Sequence, residues 1–242
     1  MGLAMENRDY YDTFSESYEN KRHFGYHRFL DDAEFALLKP IIRDRDVLEV
    51  GCGTGLILYR IADLARRAAG VDLSPGMLTK ARERGLEVQE AEASELPFED
   101  ATFDVVCSFK VLAHVEAIAK TLREMARVTR PGGKIVAEFY NRHSLRTLVK
   151  RLKPGTKIGK NGGTTDDDVY TRYDTLGELK QILPPTLTLD RVSGIRIASP
   201  LALPFDLPVF GRAWAGIERG LALTPLKRFG GFLVLHLTRT AG

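Results

Sequence analysis

The chain has only two cysteines, Cys52 and Cys107, in 242 residues. They are too few for a disulfide framework and lack the paired spacing of a zinc site. No apolar run approaches the roughly 20 residues that a membrane span needs, so stable membrane insertion is not expected. The formal net charge is only +3, far from the excess of a dedicated nucleic-acid binder. Internal repeats and low-complexity tracts are missing, and residues 1–5 (Met-Gly-Leu-Ala-Met) lack the basic-then-apolar design of a signal peptide. A cytoplasmic protein is expected. What is present, 44% hydrophobic and 28% charged residues, suits one substantial globular domain.

Between about 25 and 140 short apolar runs alternate with helical patterns, as in a parallel α/β sheet. Phe29, Leu30, Ala33, Ala36 and Leu37 predict a helix that stops at Pro40. Strands are predicted at Val47–Val50, Ala68–Val71, Leu86–Ala91, Phe103–Ser108 and Lys134–Tyr140. Between them, Leu58, Ile61, Ala62 and Ala65 mark one helix face, Ser74-Pro75 opens a helix to about Arg84, and another runs from Glu116 to Thr129. That helix ends on a Pro131-Gly132-Gly133 turn signal. Further on, a helix over Asp174–Leu183 and late strands at Thr186–Ile197 and Phe232–Arg239 are expected. The Leu- and Pro-rich stretch 198–228, with Pro200, Pro204, Pro208 and the only tryptophan, Trp214, is expected to pack on those strands; a second reading makes it an acceptor wall with a short helix at 213–223.

The informative unit is Val47-Leu48-Glu49-Val50-Gly51-Cys52-Gly53-Thr54-Gly55, followed by Asp72. A glycine turn from strand to helix lets backbone approach a ligand closely, and an acid ending the next strand can accept both hydroxyls of a ribose. The glycines run G-x-G-x-G, and Leu56 stands where the dinucleotide fingerprint asks for a third glycine. Glu49 would place negative charge beside a pyrophosphate, whereas a cofactor with a cationic ammonium tail suits it. A nicotinamide-dependent oxidoreductase is therefore the weaker reading.

The run VLEVGCGTG, then GVDLSPGML, AEASELPFEDATFDVVCSFKVLAHV and LREMARVTRPGGKIVAEF, resembles in order the motifs of class I S-adenosylmethionine-dependent methyltransferases, of the small-molecule, type 11-like branch. Tyr10-Tyr11-Asp12-Thr13-Phe14 and Tyr18 resemble the lead-in of the same family. The resemblance implies a Rossmann-like, doubly wound seven-stranded sheet with its last strand antiparallel, in one domain over 1–242. It implies an N-terminal lid at 1–30, a cofactor-binding core at 31–140, and helical cap insertions at 141–185 and 198–228.

It implies S-adenosyl-L-methionine as cofactor. Gly51, Gly53 and Gly55 would pack against the methionine portion with Glu49 near its amino group, Cys52 belongs to the same cofactor-binding set, and Asp72 would hold the ribose. Leu73 and Met77 would flank the adenine, Ala93 would donate its N–H to the adenine edge beside Glu92, and Ser108 and Phe109 would line the methionine side. Tyr11 and Tyr18 join this cofactor-binding set. Glu92 replaces the family's aspartate, and Ala113 replaces the first histidine of its L-H-H-V.

The implied reaction is in-line methyl transfer to an oxygen or nitrogen atom of a small metabolite, with a cofactor-binding scaffold without chemistry as the alternative. Candidate catalytic residues are His143, Tyr140 and His114, although His114 reads first as a satisfied core histidine. Lys110 reads as a solvated side chain. The cluster Arg142, Arg146, Lys150, Arg151, Lys153, Lys157 and Lys160 reads first as a solvated helix face; the sharper reading has Arg142 or Arg146 meet a carboxylate or phosphate on the acceptor. No acidic cluster near strand four suggests a metal, and Asp166–Asp168 with Gly162-Gly163 reads as a polar loop. The expected partner is a partly apolar or anionic small molecule rather than nucleic acid, and the expected state is monomer or homodimer.

Overall fold

The computed structural model describes residues 25–147, 170–198 and 208–240, together with Arg8, Tyr11, Asp12, Ser15, Tyr18 and Glu19. The predicted loop at 162–168, the basic residues from Lys150 to Lys160, and Tyr10, Thr13, Phe14, Pro200 and Pro204 lie outside the described residues.

Helix α1 (Gly25–Leu38) leads into β1 (Asp46–Val50), α2 (Leu56–Ala62), β2 (Arg67–Asp72), α3 (Pro75–Glu83), β3 (Glu87–Glu90) and β4 (Phe103–Ser108). A 3₁₀ turn (Leu112–His114), α4 (Ile118–Val128) and β5 (Thr129–Tyr140) follow, then α5 (Leu176–Ile182), β6 (Leu187–Ile195), α6 (Pro208–Ala222), a second 3₁₀ turn (Pro225–Phe229) and β7 (Phe232–Arg239). The seven strands form one sheet in the order β3-β2-β1-β4-β5-β7-β6. Its first four pairings are parallel, while β7 runs antiparallel to both β5 and β6. This is the Rossmann-like seven-stranded sheet with an antiparallel last strand that the motifs imply.

Side chains alternate across a strand, and the two faces bury different sets. Leu48, Val50, Val106, Ile135 and Phe139 face Leu122 and Met125 of α4 and Leu179 of α5. Val47, Val105, Cys107, Val136 and Val234 face the other way, onto Leu30 and Leu38 of α1, Ile57 and Ile61 of α2 and Ala215 of α6. Glu49 and Glu138 share the parity of this second set, so both acids point toward α1. That parity shapes the site below.

Local chemistry fixes the ends. Ser74 caps α3, accepting from the Met77 amide, with Pro75 in the first turn. Thr175 and Glu178 close a reciprocal capping box on α5. Ala62 proves exposed and Ala65 lies past the end of α2; Ile57 takes their expected place in the core. The Pro131-Gly132-Gly133 signal does not end a strand-free turn. It is a bulge inside β5, where Thr129 pairs with Phe103 and Lys134 with Val105, and Gly132 takes φ +78°. Helix α6 begins well before the expected 213.

On β7, His236 is buried with Nε2 2.9 Å from Ser193 Oγ and Nδ1 3.4 Å from Arg191. Burial and then the Arg191 charge push its imidazole from 6.5 down to about 4. Because the folded state prefers the neutral ring, the stability it contributes is complete above about pH 6.5 and is lost as pH falls toward 4. The whole difference is on the order of 3 kcal/mol. Urea midpoints of the wild type should therefore drop more steeply between pH 7 and 5 than those of His236→Gln; parallel profiles would contradict this account.

Candidate functional site

At the carboxyl ends of β1 and β4 an open crevice is lined by Tyr18, Glu49, Gly51, Cys52, Phe109 and Lys110, among others. Its floor is the glycine loop. Gly51, Gly53 and Gly55 all take positive φ, at 76°, 54° and 81°, a region costly for residues with a Cβ. Their surroundings differ. A Cβ on Gly51 would sit 2.2 Å from Val111 Cγ2, and one on Gly55 2.4 Å from Leu86 Cδ1, whereas one on Gly53 would meet nothing within 4 Å. Gly51 and Gly55 are thus required by protein packing, and Gly53 is the loop position open to close approach.

The loop is pinned by Asp72. Its Oδ2 accepts the Gly53 amide at 2.8 Å and its Oδ1 the Ser74 amide at 3.0 Å. Burial raises the carboxyl above its ordinary range, against the amides of Ser74, Gly53 and Leu73, which lower it. Each oxygen keeps a second lone pair, so a diol can still be accepted here.

Glu49 carries the clearest signal of a missing ligand. Its carboxyl is 3% exposed, lines the crevice, and its Oε2 has no hydrogen-bond partner among the described residues. Burial pushes it well above the carboxylate range; Lys110 opposes, while Glu34, Asp31 and Asp72 add to the rise. A buried carboxyl lacking a partner is costly, and an ammonium group brought beside Oε2 would supply both the partner and the charge. The donor set thus fits the amino end of S-adenosylmethionine, with Gly53 leaving room for the chain behind it.

Lys110 is not the solvated side chain expected from the sequence. Its Nζ lies 2.7 Å from Asp31 Oδ1 and 2.8 Å from Glu34 Oε2, both on α1, and its amide donates to Glu138 Oε1 at 3.1 Å. It does so from φ +59°, a left-handed conformation unfavourable for a lysine. The Lys110 charge also acts on Glu49 and Glu138, and burial raises Glu138 well above the usual range, with Glu34 adding to the rise. Sequence spacing could not reveal this cluster, since Asp31 and Glu34 come from a helix some 80 residues earlier.

The described N-terminal residues cross the crevice mouth. Asp12 Oδ1 accepts from Ser74 Oγ at 2.5 Å and from the Gly76 amide at 2.8 Å. The Ser15 carbonyl meets Lys80, and Glu19 pairs with Arg84 at 2.5 Å. Tyr18 lines the crevice, and the Tyr11 ring stands edge-on to His114, 6.2 Å between centroids. The motif reading singled out the tyrosines but missed Asp12, which anchors the segment onto α3; an acid 62 residues before the helix-capping serine it meets leaves no local pattern to find.

The remaining candidates are placed as follows. Met77 is buried and Leu73 half-buried. Glu92 is exposed, its carboxylate accepting from Ser94 Oγ at 3.3 Å, and Ala93 packs at the edge of the α4-side core. Phe109 lines the crevice. Ser108 is fully buried with its hydroxyl on Val50 O at 2.8 Å, so it ties β4 to β1 beneath the crevice. Cys52 also lines the crevice while packing with Leu58 and Leu78.

His114 follows β4 and sits among aromatic rings. Nδ1 is 3.0 Å from the Tyr170 carbonyl, which fixes its proton there and leaves Nε2 with its lone pair. Tyr140 Oη stands 3.5 Å from that Nε2. Burial, and then Glu138, pushes the Tyr140 phenol upward, so it stays protonated and can donate but not act as a base. His143 is exposed, and among the described residues only its amide is engaged, on Asn141 Oδ1. Among the described residues no group of three or more histidine, cysteine, aspartate or glutamate side chains is arranged to hold a metal ion, and no helix is long and apolar enough to cross a membrane.

Residues 48–137 match the methyltransferase domain family. A probable S-adenosylmethionine-dependent methyltransferase of Mycolicibacterium smegmatis is 40% identical over 100 residues, 40% of this chain and 39% of that protein. A ubiquinone/menaquinone biosynthesis C-methyltransferase of Brucella anthropi is 38% identical over 138 residues, 52% of each. The chain thus spans about half, or less, of the curated relatives it matches. The fold is shared with the crystal structure of a Thermotoga maritima S-adenosylmethionine-dependent methyltransferase, a possible histamine N-methyltransferase, at TM-score 0.69 and 20% identity over 96% of this chain and 98% of that one. The glycine loop with its acid, the sheet order and these matches agree: residues 48–137 resemble the methyltransferase domain family, within a fold shared with S-adenosylmethionine-dependent methyltransferases.

Proposed function

We propose that this chain transfers the methyl group of S-adenosylmethionine to an oxygen or nitrogen atom of a small acceptor. The observation that carries the reading is the partnerless, crevice-facing Oε2 of Glu49 opposite a glycine loop pinned by Asp72. When bound, the cofactor supplies an electrophilic methyl on a sulfonium, and the protein's own part is mostly placement. Holding nucleophile and methyl at about 3–3.5 Å is worth effective molarities of roughly 10⁵–10⁸ M.

In this reading Glu49 binds the amino group, Asp72 the ribose, and Leu73, Met77, Glu92 and Ala93 surround the adenine. The segment of Tyr11, Asp12 and Tyr18 acts as the lid that excludes water. His114, whose Nε2 carries the lone pair, takes the proton of the acceptor, and the Tyr140 hydroxyl beside that nitrogen orients it. His143, exposed and turned to no described partner, has no part in this scheme. The described residues 25–147, 170–198 and 208–240 work as one domain.

Calorimetry with S-adenosylhomocysteine and with NADH is the first test: the former binds and the latter does not. Labelled-methyl turnover over a panel of phenols, amines and carbon acids then yields oxygen- or nitrogen-methylated product. Failure to bind S-adenosylhomocysteine would overturn the whole reading. The name of the Brucella relative specifically favours carbon as an alternative target, and label found only on carbon would replace the acceptor assignment while leaving the cofactor assignment intact. Binding without turnover across the panel would favour the scaffold.

A further inference from the structure

The surface between α6 and β7 combines exposed apolar side chains with positive charge. Leu223 is 89% exposed, and Leu226 and Phe229, three and six residues further on, are exposed as well. From Pro208 to the last residue the only acid is Glu218, against Arg212, Arg219, Lys227, Arg228 and Arg239. Glu218 is buried, its oxygens accepting the amides of Ile197 and Ala198 at 2.7 and 3.0 Å, so no carboxylate of this stretch reaches the outer face. Arg219 and Arg228 are exposed, and the Arg228 guanidinium lies 4.8 Å from the centre of the Phe229 ring. We propose that the end of α6 and the 3₁₀ turn Pro225–Phe229 form a docking surface for an anionic lipid bilayer. Leu223, Leu226 and Phe229 enter the headgroup boundary, and Arg219, Lys227 and Arg228 lie at the level of the phosphates.

The turn is fastened by its backbone and leaves its side chains outward. Thr224 caps it, its hydroxyl accepting the Leu226 amide at 3.2 Å, and Pro225 sets the first position. Asn141 Nδ2, just past β5, donates to the Arg228 and Gly230 carbonyls, both at 2.8 Å. Gly194 of β6 lies so close that a Cβ there would sit 2.0 Å from the Lys227 carbonyl oxygen. Yet none of the turn's residues is buried. Apolar groups held outward on a fixed backbone dock with little ordering cost.

The chemistry selects a bilayer over a protein partner. A stable protein interface uses about 20–30 residues a side, whereas a helix end and one turn offer only a few apolar side chains. A second copy seated here by two-fold symmetry would bring the same positive charge to both sides of the contact. A bilayer takes leucine and phenylalanine one at a time at the acyl boundary, while lysine and arginine stay with the phosphates. Each basic group near an anionic leaflet adds to the attraction. Arg142, which the sequence offered to an anion, is engaged within the protein instead, with Nη1 on Glu178 at 2.7 Å and Nε and Nη2 on the Tyr173 carbonyl at 3.1 and 2.8 Å.

The docking surface lies on the edge of the sheet that carries the crevice. Phe232, the first residue of β7, pairs with Tyr140 at the carboxyl end of β5, their rings 5.3 Å apart. Docking turns that edge toward lipid. The inference does not depend on the proposed methyl transfer.

The test is flotation of the full chain with vesicles of phosphatidylcholine alone, or of phosphatidylcholine with about one-third phosphatidylglycerol. Binding to the anionic vesicles is expected to be about tenfold or more tighter than to neutral ones. It should be lost at about 0.5 M salt, where screening acts within a few ångströms. Leu223→Ser with Phe229→Ser, and separately Lys227→Glu with Arg228→Glu, should each weaken vesicle binding by about tenfold or more. Thermal midpoints of both variants should stay near wild type. Should the second pair fail to fold, Arg228→Glu alone decides, with an expected loss of about fivefold, because its side chain is exposed. No binding to anionic vesicles, equal binding to neutral ones, or anionic binding that survives both pairs of substitutions would overturn the docking surface. A wild-type dimer broken by Leu223→Ser with Phe229→Ser, without vesicle binding, would give the face to a second copy and overturn it too.

Discussion

Lys110→Met should destabilise the protein by about 3–5 kcal/mol at neutral pH, the range seen when one partner of a buried ion pair is removed. Lys110 is the cation 2.7 Å from Asp31 and 2.8 Å from Glu34, whose side chain is completely buried. Without it, Glu34 and Asp31 lose this ion-pair partner, and the charge that opposes the rise of Glu49 and Glu138 is gone. Burial already holds Glu49 and Glu138 well above the usual carboxylate range, and removing the Lys110 charge raises them further. The sign follows: the variant's deficit is largest at neutral pH and shrinks as pH falls toward the ordinary carboxylate range. Urea denaturation at pH 7.5 and 5 measures both. Adding Glu34→Leu to the methionine variant should recover much of the loss, since it removes the stranded charge. A loss below about 1 kcal/mol would mean that the pair is solvated after all.

Asp72→Ala should weaken S-adenosylhomocysteine binding by about tenfold to a hundredfold, the value of a charge-assisted hydrogen bond of about 1.5–3 kcal/mol. Two effects act together. The proposed ribose contact is lost, and so is the acceptor for the Gly53 and Ser74 amides that shape the floor of the crevice. Asp72→Asn separates them, because the amide keeps one acceptor oxygen for the loop but no charge. Its fold stability should lie near wild type while its affinity falls between the two. Calorimetry and thermal denaturation on the same samples give both numbers. Wild-type affinity in Asp72→Ala would remove the ribose assignment.

The sheet and much of the crevice were legible in the sequence because the signals are local. Continuous apolar runs such as Phe103–Ser108 mark strands buried on both faces, Ser74-Pro75 marks a helix start, and the glycine run with Asp72 marks a turn and its anchor. The misreadings share a cause as well. Pro131-Gly132-Gly133 has turn chemistry, but strand pairing on both sides of it converts the turn into a bulge. Lys110 looks like a surface lysine in one dimension, and only the packing of α1 across the sheet gives it Asp31 and Glu34.

By itself the sequence determined the alternation of strands and helices, the glycine loop and its acid, and the class of cofactor they suit, since each follows from residue type at short spacing. The tertiary structure alone decided which charges meet. Strand parity turned Glu49 and Glu138 toward α1, folding brought Lys110 onto Asp31 and Glu34, and the Tyr170 carbonyl chose which nitrogen of His114 carries its proton. Those contacts join residues tens of positions apart, and electrostatic energies depend on distance and burial, neither of which a linear pattern encodes.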